Sequence, residues 1–127
     1  MDAAPEEQLC VWVISNEHWL RALLRAELIE QGYDATGYPT TDEAVAELSR
    51  QPLQKPRVLI LDLTGQEITR HQFSHLAAGG TRTVLLGGAV DLADPVLGDF
   101  RWAAVMKRPF TIREIVAVVA REARTIS

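Results

Sequence analysis

The chain has a single cysteine, Cys10, among 127 residues, so it forms no internal disulfide and supplies no thiolate set for a zinc site. Cys10 lies in an apolar run, where a buried, inert thiol is the simplest reading; a chain without disulfides suits a reducing cytosol. Positive charge is also scarce: 13 Lys and Arg against 17 Asp and Glu leave a net charge of −4. Without a concentrated basic face, neither nucleic acid nor an anionic membrane is expected as a partner, and a protein partner becomes the default. No apolar stretch approaches the ~20 residues of a membrane span, and the opening "MDAAPEEQ" has no apolar signal-peptide segment, so a cytoplasmic location is expected. Nothing in the sequence pairs a nucleophile with a base in the manner of a Ser-His-Asp or Cys-His site, so no enzyme activity is expected. What remains is an ordinary globular composition, 47% hydrophobic and 24% charged, at a length that suits one domain. That domain is expected over residues 9–124, with tails at 1–8 and 125–127.

Two kinds of segment alternate. "LCVWVIS" (9–15), "RVLILDL" (57–63) and "TRTVLLGG" (81–88) are nearly continuous apolar runs, as in strands covered on both faces of a parallel sheet. "YDATGYP" (33–39) and "WAAVMK" (102–107) read as shorter strands. Between them, "EHWLRALLRAELIEQ" repeats leucine at 20, 24 and 28, with Leu23 alongside and Gly32 as the stop. Thr40 with Glu43 and Thr111 with Glu114 have capping-box spacing, opening helices over "TDEAVAELSRQ" and "FTIREIVAVVAREA". A weaker helix is expected over "QEITRHQFSHLAA" (66–78), closed by Gly79 and Gly80. Asp94 and Pro95 suit a helix N-cap and first position, yet Gly98 follows at once, so the fourth helix should be short or irregular. Strict alternation of five strands and five helices predicts a single α/β domain, a doubly wound five-stranded parallel sheet with helices on both faces.

In such folds ligands gather beyond the carboxyl ends of the strands. The residues there are Ser15, Asn16 and Glu17 after the first strand, Asp62 to Thr64 at the third, Gly87 and Gly88 at the fourth, and Lys107 and Arg108 at the fifth. Asp62 stands out, because a carboxylate in an apolar run is costly to bury without a partner. On three of these positions the chain resembles the receiver domain of two-component response regulators, over essentially its whole length. Asp62 at the end of "VLILD" matches the family's phosphoacceptor; "KRPF" (107–110) is similar to its Lys-Pro-Phe; "SNE" (15–17) occupies the site of its acidic pair. The resemblance implies the flavodoxin-like (βα)5 fold and, in regular members, Mg²⁺ held by the phosphoacceptor and two neighbouring acids.

Here those neighbours are the neutral Ser15 and Asn16, with Glu17 next in line, which should cost Mg²⁺ affinity by about several kcal/mol. Gly87 stands where the family places a Ser or Thr hydroxyl, and Ala104 or Val105 where it places an aromatic switch residue. An extra residue leaves either Lys107 or Arg108 at the family's lysine position. A cis peptide before Pro109, usual in the family, would make Arg108 the partner of Asp62. Asp62 is therefore either a phosphoacceptor or, as the missing acids favour, a structural anion paired to Lys107 or Arg108.

The other candidates have plainer explanations. His71 and His75, four apart, can share a metal, but with no third ligand in view they are expected to face solvent, as is His18. Trp12 and Trp19 are expected to pack, whereas Phe100, Arg101 and Trp102 cluster where receivers meet partners. Core packing accounts for Trp102 about as well. The Gly87–Gly88 pair invites a phosphate-loop reading without a Walker or dinucleotide pattern around it. The leading expectation is a pseudo-receiver with a degenerate phosphorylation site, acting in bacterial signalling through protein contacts. Its contact face would be the fourth helix, fifth strand and fifth helix, which the family also uses for homodimers. The alternatives are a working phosphoacceptor receiver and, more weakly, a flavodoxin-like small-ligand binder. No metal or cofactor is expected, except Mg²⁺ if Asp62 is phosphorylated.

Overall fold

The apolar runs form the centre of the sheet because each must be covered on both faces. A computed structural model describes residues 8–125; residues 1–7 and 126–127, most of the two expected tails, lie outside them. The chain runs β1 (Cys10–Ile14), α1 (His18–Glu30), β2 (Asp34–Tyr38), α2 (Thr41–Arg50), β3 (Val58–Asp62), α3 (Arg70–Ala77), β4 (Arg82–Gly87), α4 (Ala89–Leu92), a 3₁₀ turn (Pro95–Asp99), β5 (Ala104–Lys107) and α5 (Ile112–Arg124). The strands form one parallel sheet in the order β2-β1-β3-β4-β5, the doubly wound sheet that the alternation predicts and the flavodoxin-like fold that the resemblance implies. The order reverses between β1 and β3, and there a crevice opens at the carboxyl ends.

Alternate residues of each central strand feed two cores. Val11, Val13, Val58, Ile60, Val84 and Leu86 meet Leu20, Leu24 and Leu28 of α1 and Ile115 and Val119 of α5. On the other face Trp12, Ile14, Leu59, Leu61 and Leu85 meet Ala44, Leu48, Phe73 and Leu76 of α2 and α3, with Leu97 beyond. Each fully buried aliphatic side chain contributes about 1.5–3 kcal/mol of transfer free energy, so the cores account for the cohesion of the sheet and its layers. One ion pair crosses the first layer: Arg82 Nε at the start of β4 lies 2.7 Å from the buried Glu122 Oε1 of α5.

Several local expectations are corrected. α3 starts at Arg70, four residues after the expected start, because Thr69 with Gln72 forms a capping box there. β5 begins at Ala104 instead of 102, since Trp102 Nε1 donates to the Leu97 carbonyl at 2.9 Å and belongs to the preceding turn. At α2 only half of the expected capping box forms: Thr40 accepts from the Glu43 N–H, but the Glu43 carboxylate accepts from the Thr40 hydroxyl. The Thr111–Glu114 box forms in full. The fourth helix is a single turn followed by the 3₁₀ turn capped by Asp94, as Pro95 and Gly98 suggest. Trp19 is 55% exposed and so is not a packing residue, and Leu23 is also exposed, because the buried seam of α1 is the narrow Leu20, Leu24, Leu28 row.

Candidate functional site

The last residue of β3 sets the site. β3 is buried throughout, so Asp62 has no solvent to stabilise its carboxylate; it is 0% exposed. β1 pairs with β3 with Ile14 opposite Leu61, which places the next residue, Ser15, beside Asp62. The Ser15 hydroxyl donates to Asp62 Oδ2 at 2.8 Å. Ser15 is itself held from two sides: its Oγ accepts from the Glu17 N–H at 3.1 Å and its carbonyl accepts from Arg21 Nη1 at 2.6 Å. The other carboxylate oxygen, Oδ1, accepts the Thr64 N–H at 3.1 Å.

The compensating cation comes from the end of β5. The Arg108–Pro109 peptide is cis, and the Arg108 N–H donates to the Gly87 carbonyl at 2.9 Å. Arg108, not the exposed Lys107, turns inward: its Nη2 is 2.7 Å from Glu17 Oε1 and 3.5 Å from Asp62 Oδ2, and its Nε lies 3.3 Å from the Thr64 hydroxyl. The guanidinium carbon also sits 4.9 Å from the centre of the Phe110 ring, a cation–π contact that helps fix its orientation. One guanidinium therefore serves two acids, and its planar fork suits such a bridge better than an ammonium would. Asp62 thus has a neutral hydroxyl donor, a backbone donor and a cation around it, the set that satisfies a buried carboxylate.

The remaining candidates fall around this centre. Asn16 does not reach Asp62; its side-chain amide donates to the Gly65 carbonyl at 2.7 Å and steadies a loop in which Gly65 has φ +72°. Gly87 carries no hydroxyl, and an added Cβ there would lie 3.1 Å from Asp91 Cβ and 3.4 Å from Leu92, so the end of α4 fills the space. Ala104 points to the α1/α5 layer, while Val105 is 54% exposed on the opposite face. Phe100 and Trp102 pack with Phe73, with ring centres 5.6–5.8 Å apart, and are half-buried, while Arg101 is exposed.

Two contributors were not among the sequence candidates. Asp91 Oδ2 accepts the Gly88 N–H at 3.0 Å and lies 3.5 Å from the Thr64 hydroxyl. The sequence signal was the acid three residues after Gly88, a cap spacing without the usual Ser or Thr. Gln66 donates to the Asp62 carbonyl at 2.6 Å and accepts from the Thr41 N–H and hydroxyl at 3.0 and 2.8 Å, tying β3 to the start of α2. No sequence signal marks that contact, which exists only once the fold brings residues 41 and 66 together.

Chemically, the arrangement surrounds a buried carboxylate with donors and a cation and shields it from solvent. Glu17 is the one acid among the three residues at the end of β1, and Arg108 already occupies it. Among the described residues no group of three or more His, Cys, Asp or Glu converges as a metal site. The Gly87–Gly88 loop fares poorly as a phosphate cradle, because Asp91 takes the Gly88 N–H and puts a negative charge there. Elsewhere, burial, reinforced by the Asp34 carboxylate, pushes the Cys10 thiol above its ordinary pKa, consistent with a poorly reactive cysteine. No described helix is long and apolar enough to cross a membrane.

No family model matches the chain, and no curated protein matches it by sequence. Solved structures with the same fold do exist. A response regulator receiver domain protein from Clostridium thermocellum superposes with TM-score 0.75 at 13% identity, covering 92% of this chain and 95% of its own. The beryllofluoride-activated receiver domain of DrrB gives TM-score 0.73 at 13% identity over 93% and 99%. NtrX from Brucella abortus, solved with ADP, gives TM-score 0.73 at 17% identity, over 94% of this chain but 28% of NtrX. These neighbours are receiver domains or contain one, and the chain shares their fold.

Proposed function

We propose that the chain is a receiver-like signalling domain with a degenerate phosphorylation site, acting in bacterial regulation through protein contacts and not as an enzyme. One observation carries this reading: Arg108 spans 2.7 Å to Glu17 and 3.5 Å to Asp62, while the Ser15 hydroxyl holds Asp62 at 2.8 Å. A phosphoryl acceptor of this kind needs its negative charge offset by a metal bound to several carboxylates. Here a guanidinium and a hydroxyl offset the Asp62 charge without a metal, and the one acid at the end of β1, Glu17, is already paired with Arg108, so Mg²⁺ would have to displace that cation. The fold neighbours support the receiver part of the reading; the chemistry around Asp62 supports the degenerate part.

The contact surface we assign lies at the β5 edge. Val105 on β5 is 54% exposed and Val90 on the single-turn α4 is 88% exposed, with the exposed Arg101 shortly before the strand. Exposed apolar residues of this kind, flanked by a charge that is favoured at interfaces, fit a protein partner, another domain of the same protein, or a second copy of the chain.

The second reading, a Mg²⁺-dependent phosphoacceptor, rests on the position of Asp62 at the end of β3 with Glu17 and Asp91 nearby. Amide NMR during addition of Mg²⁺ and beryllofluoride separates the two. The proposed function predicts no saturable shifts around Asp62; saturable shifts that vanish in Asp62→Asn would sink it.

A further inference from the structure

α3 carries His71 and His75 one helical turn apart, both exposed, with their Nε2 atoms 3.1 Å from each other. A single N–H···N hydrogen bond between neutral rings reaches that separation, and so do two ligands of one ion. With metal–nitrogen bonds of ~2.0–2.1 Å, a 3.1 Å edge subtends about 100° at the metal, between the right angle of square-planar and octahedral sites and the tetrahedral angle. The rings meet edge to face, 78° apart with centres at 4.5 Å, so neither covers the other by stacking. The neighbouring charges also suit a cation. His75 lies in the last turn of α3, where the helix dipole favours positive charge, and Arg70 is drawn to Asp99 at 2.7 Å.

We propose that His71 and His75 chelate one first-row transition cation of the Ni²⁺, Cu²⁺, Zn²⁺ class on the surface of α3, apart from the Asp62 site. Imidazole selects these borderline ions over Mg²⁺ and Ca²⁺. No third His, Cys, Asp or Glu of the described residues joins the pair, so water or a donor from another molecule completes the coordination. Bound metal would clamp the eight-residue α3 across one of its turns.

The test is titration of the full chain with Ni²⁺, followed by calorimetry and by paramagnetic broadening of amide signals, for wild type, His71→Ala, His75→Ala and Asp62→Asn. The expected result is one saturable site with broadening centred on residues 70–77, at least about tenfold weaker in either histidine variant because the chelate is lost, and unchanged in Asp62→Asn. Affinity should follow Mn²⁺ < Ni²⁺ < Cu²⁺. Because both rings are exposed, melting curves of the histidine variants should match wild type and confirm that they fold. Absence of saturable binding, equal affinity in the variants, or broadening centred on Cys10 or Asp62 would overturn the proposal, leaving a simple histidine–histidine hydrogen bond.

Discussion

Arg108→Ala removes the only cation in contact with the fully buried Asp62 among the described residues, so it should cost more than an ordinary surface truncation. At an effective dielectric near 20, opposite charges at this separation attract by about 4–5 kcal/mol. Much of that is offset by desolvation and by screening, since the Arg108 side chain keeps 32% of its exposure. Breaking a buried pair by removing one partner typically costs about 3–5 kcal/mol. Asp62 would keep its bonds from Ser15 and Thr64, and Glu17 would be released to water, so the expected loss is about 1–3 kcal/mol. In a domain of this size that lowers the melting temperature by about 4–11 °C. Asp62→Asn should cost less, because the Arg108–Glu17 pair survives at 2.7 Å. The decisive comparison is a double-mutant cycle measured by urea unfolding: with Asp62 already neutral, Arg108→Ala should lose at least about 0.5 kcal/mol of its cost. Strict additivity, or an unchanged melting point for Arg108→Ala, would refute the claim that this cation stabilises the buried carboxylate.

Other parts of the structure make independent predictions. Ser15→Ala should destabilise by about 1.5–3 kcal/mol in urea melts, because it deletes a 2.8 Å donor to a charged, buried oxygen. Thr83 is 2% exposed and its hydroxyl has no partner, so Thr83→Val should be neutral or raise stability by about 1 kcal/mol. Cys10 should react with iodoacetamide more slowly than free cysteine at pH 8, since its raised pKa leaves less thiolate; the rate should rise with pH, and in Asp34→Asn. Val105→Glu should leave the melting point within about 0.5 kcal/mol of wild type, as expected of an exposed position, while reducing any self-association seen by sedimentation.

The sheet was legible because β1, β3 and β4 are continuous apolar runs, and only a strand covered on both faces tolerates that pattern. Helix boundaries were less so. The spacing of α1 marks Leu20, Leu24 and Leu28, but it cannot tell that the neighbouring Trp19 and Leu23 fall outside the seam, which depends on how α5 lies beside α1. At the site, the strand-end positions of Ser15, Glu17, Asp62 and Arg108 could be located from the alternation and the family resemblance. Whether Lys107 or Arg108 faces Asp62 could not, because that choice depends on the parity of a four-residue edge strand and the joint after it. Asp91 and Gln66 stayed hidden for a different reason: although Asp91 had a local cap spacing to Gly88, the contacts that tie these residues to the site's other elements, 27 residues away at Thr64 and 25 at Thr41, are made by tertiary structure. Phe100 read as a surface candidate and Trp102 as either surface or core, and the turn after Asp99 folds both onto Phe73.

The central claim, that Asp62 is held as a paired structural anion and not as an open phosphoacceptor, has a direct chemical test. The chain is incubated with acetyl phosphate and Mg²⁺, and its intact mass is followed with time. Wild type should stay at its unmodified mass. A single phosphoryl adduct that forms on wild type and is absent from Asp62→Asn would contradict it.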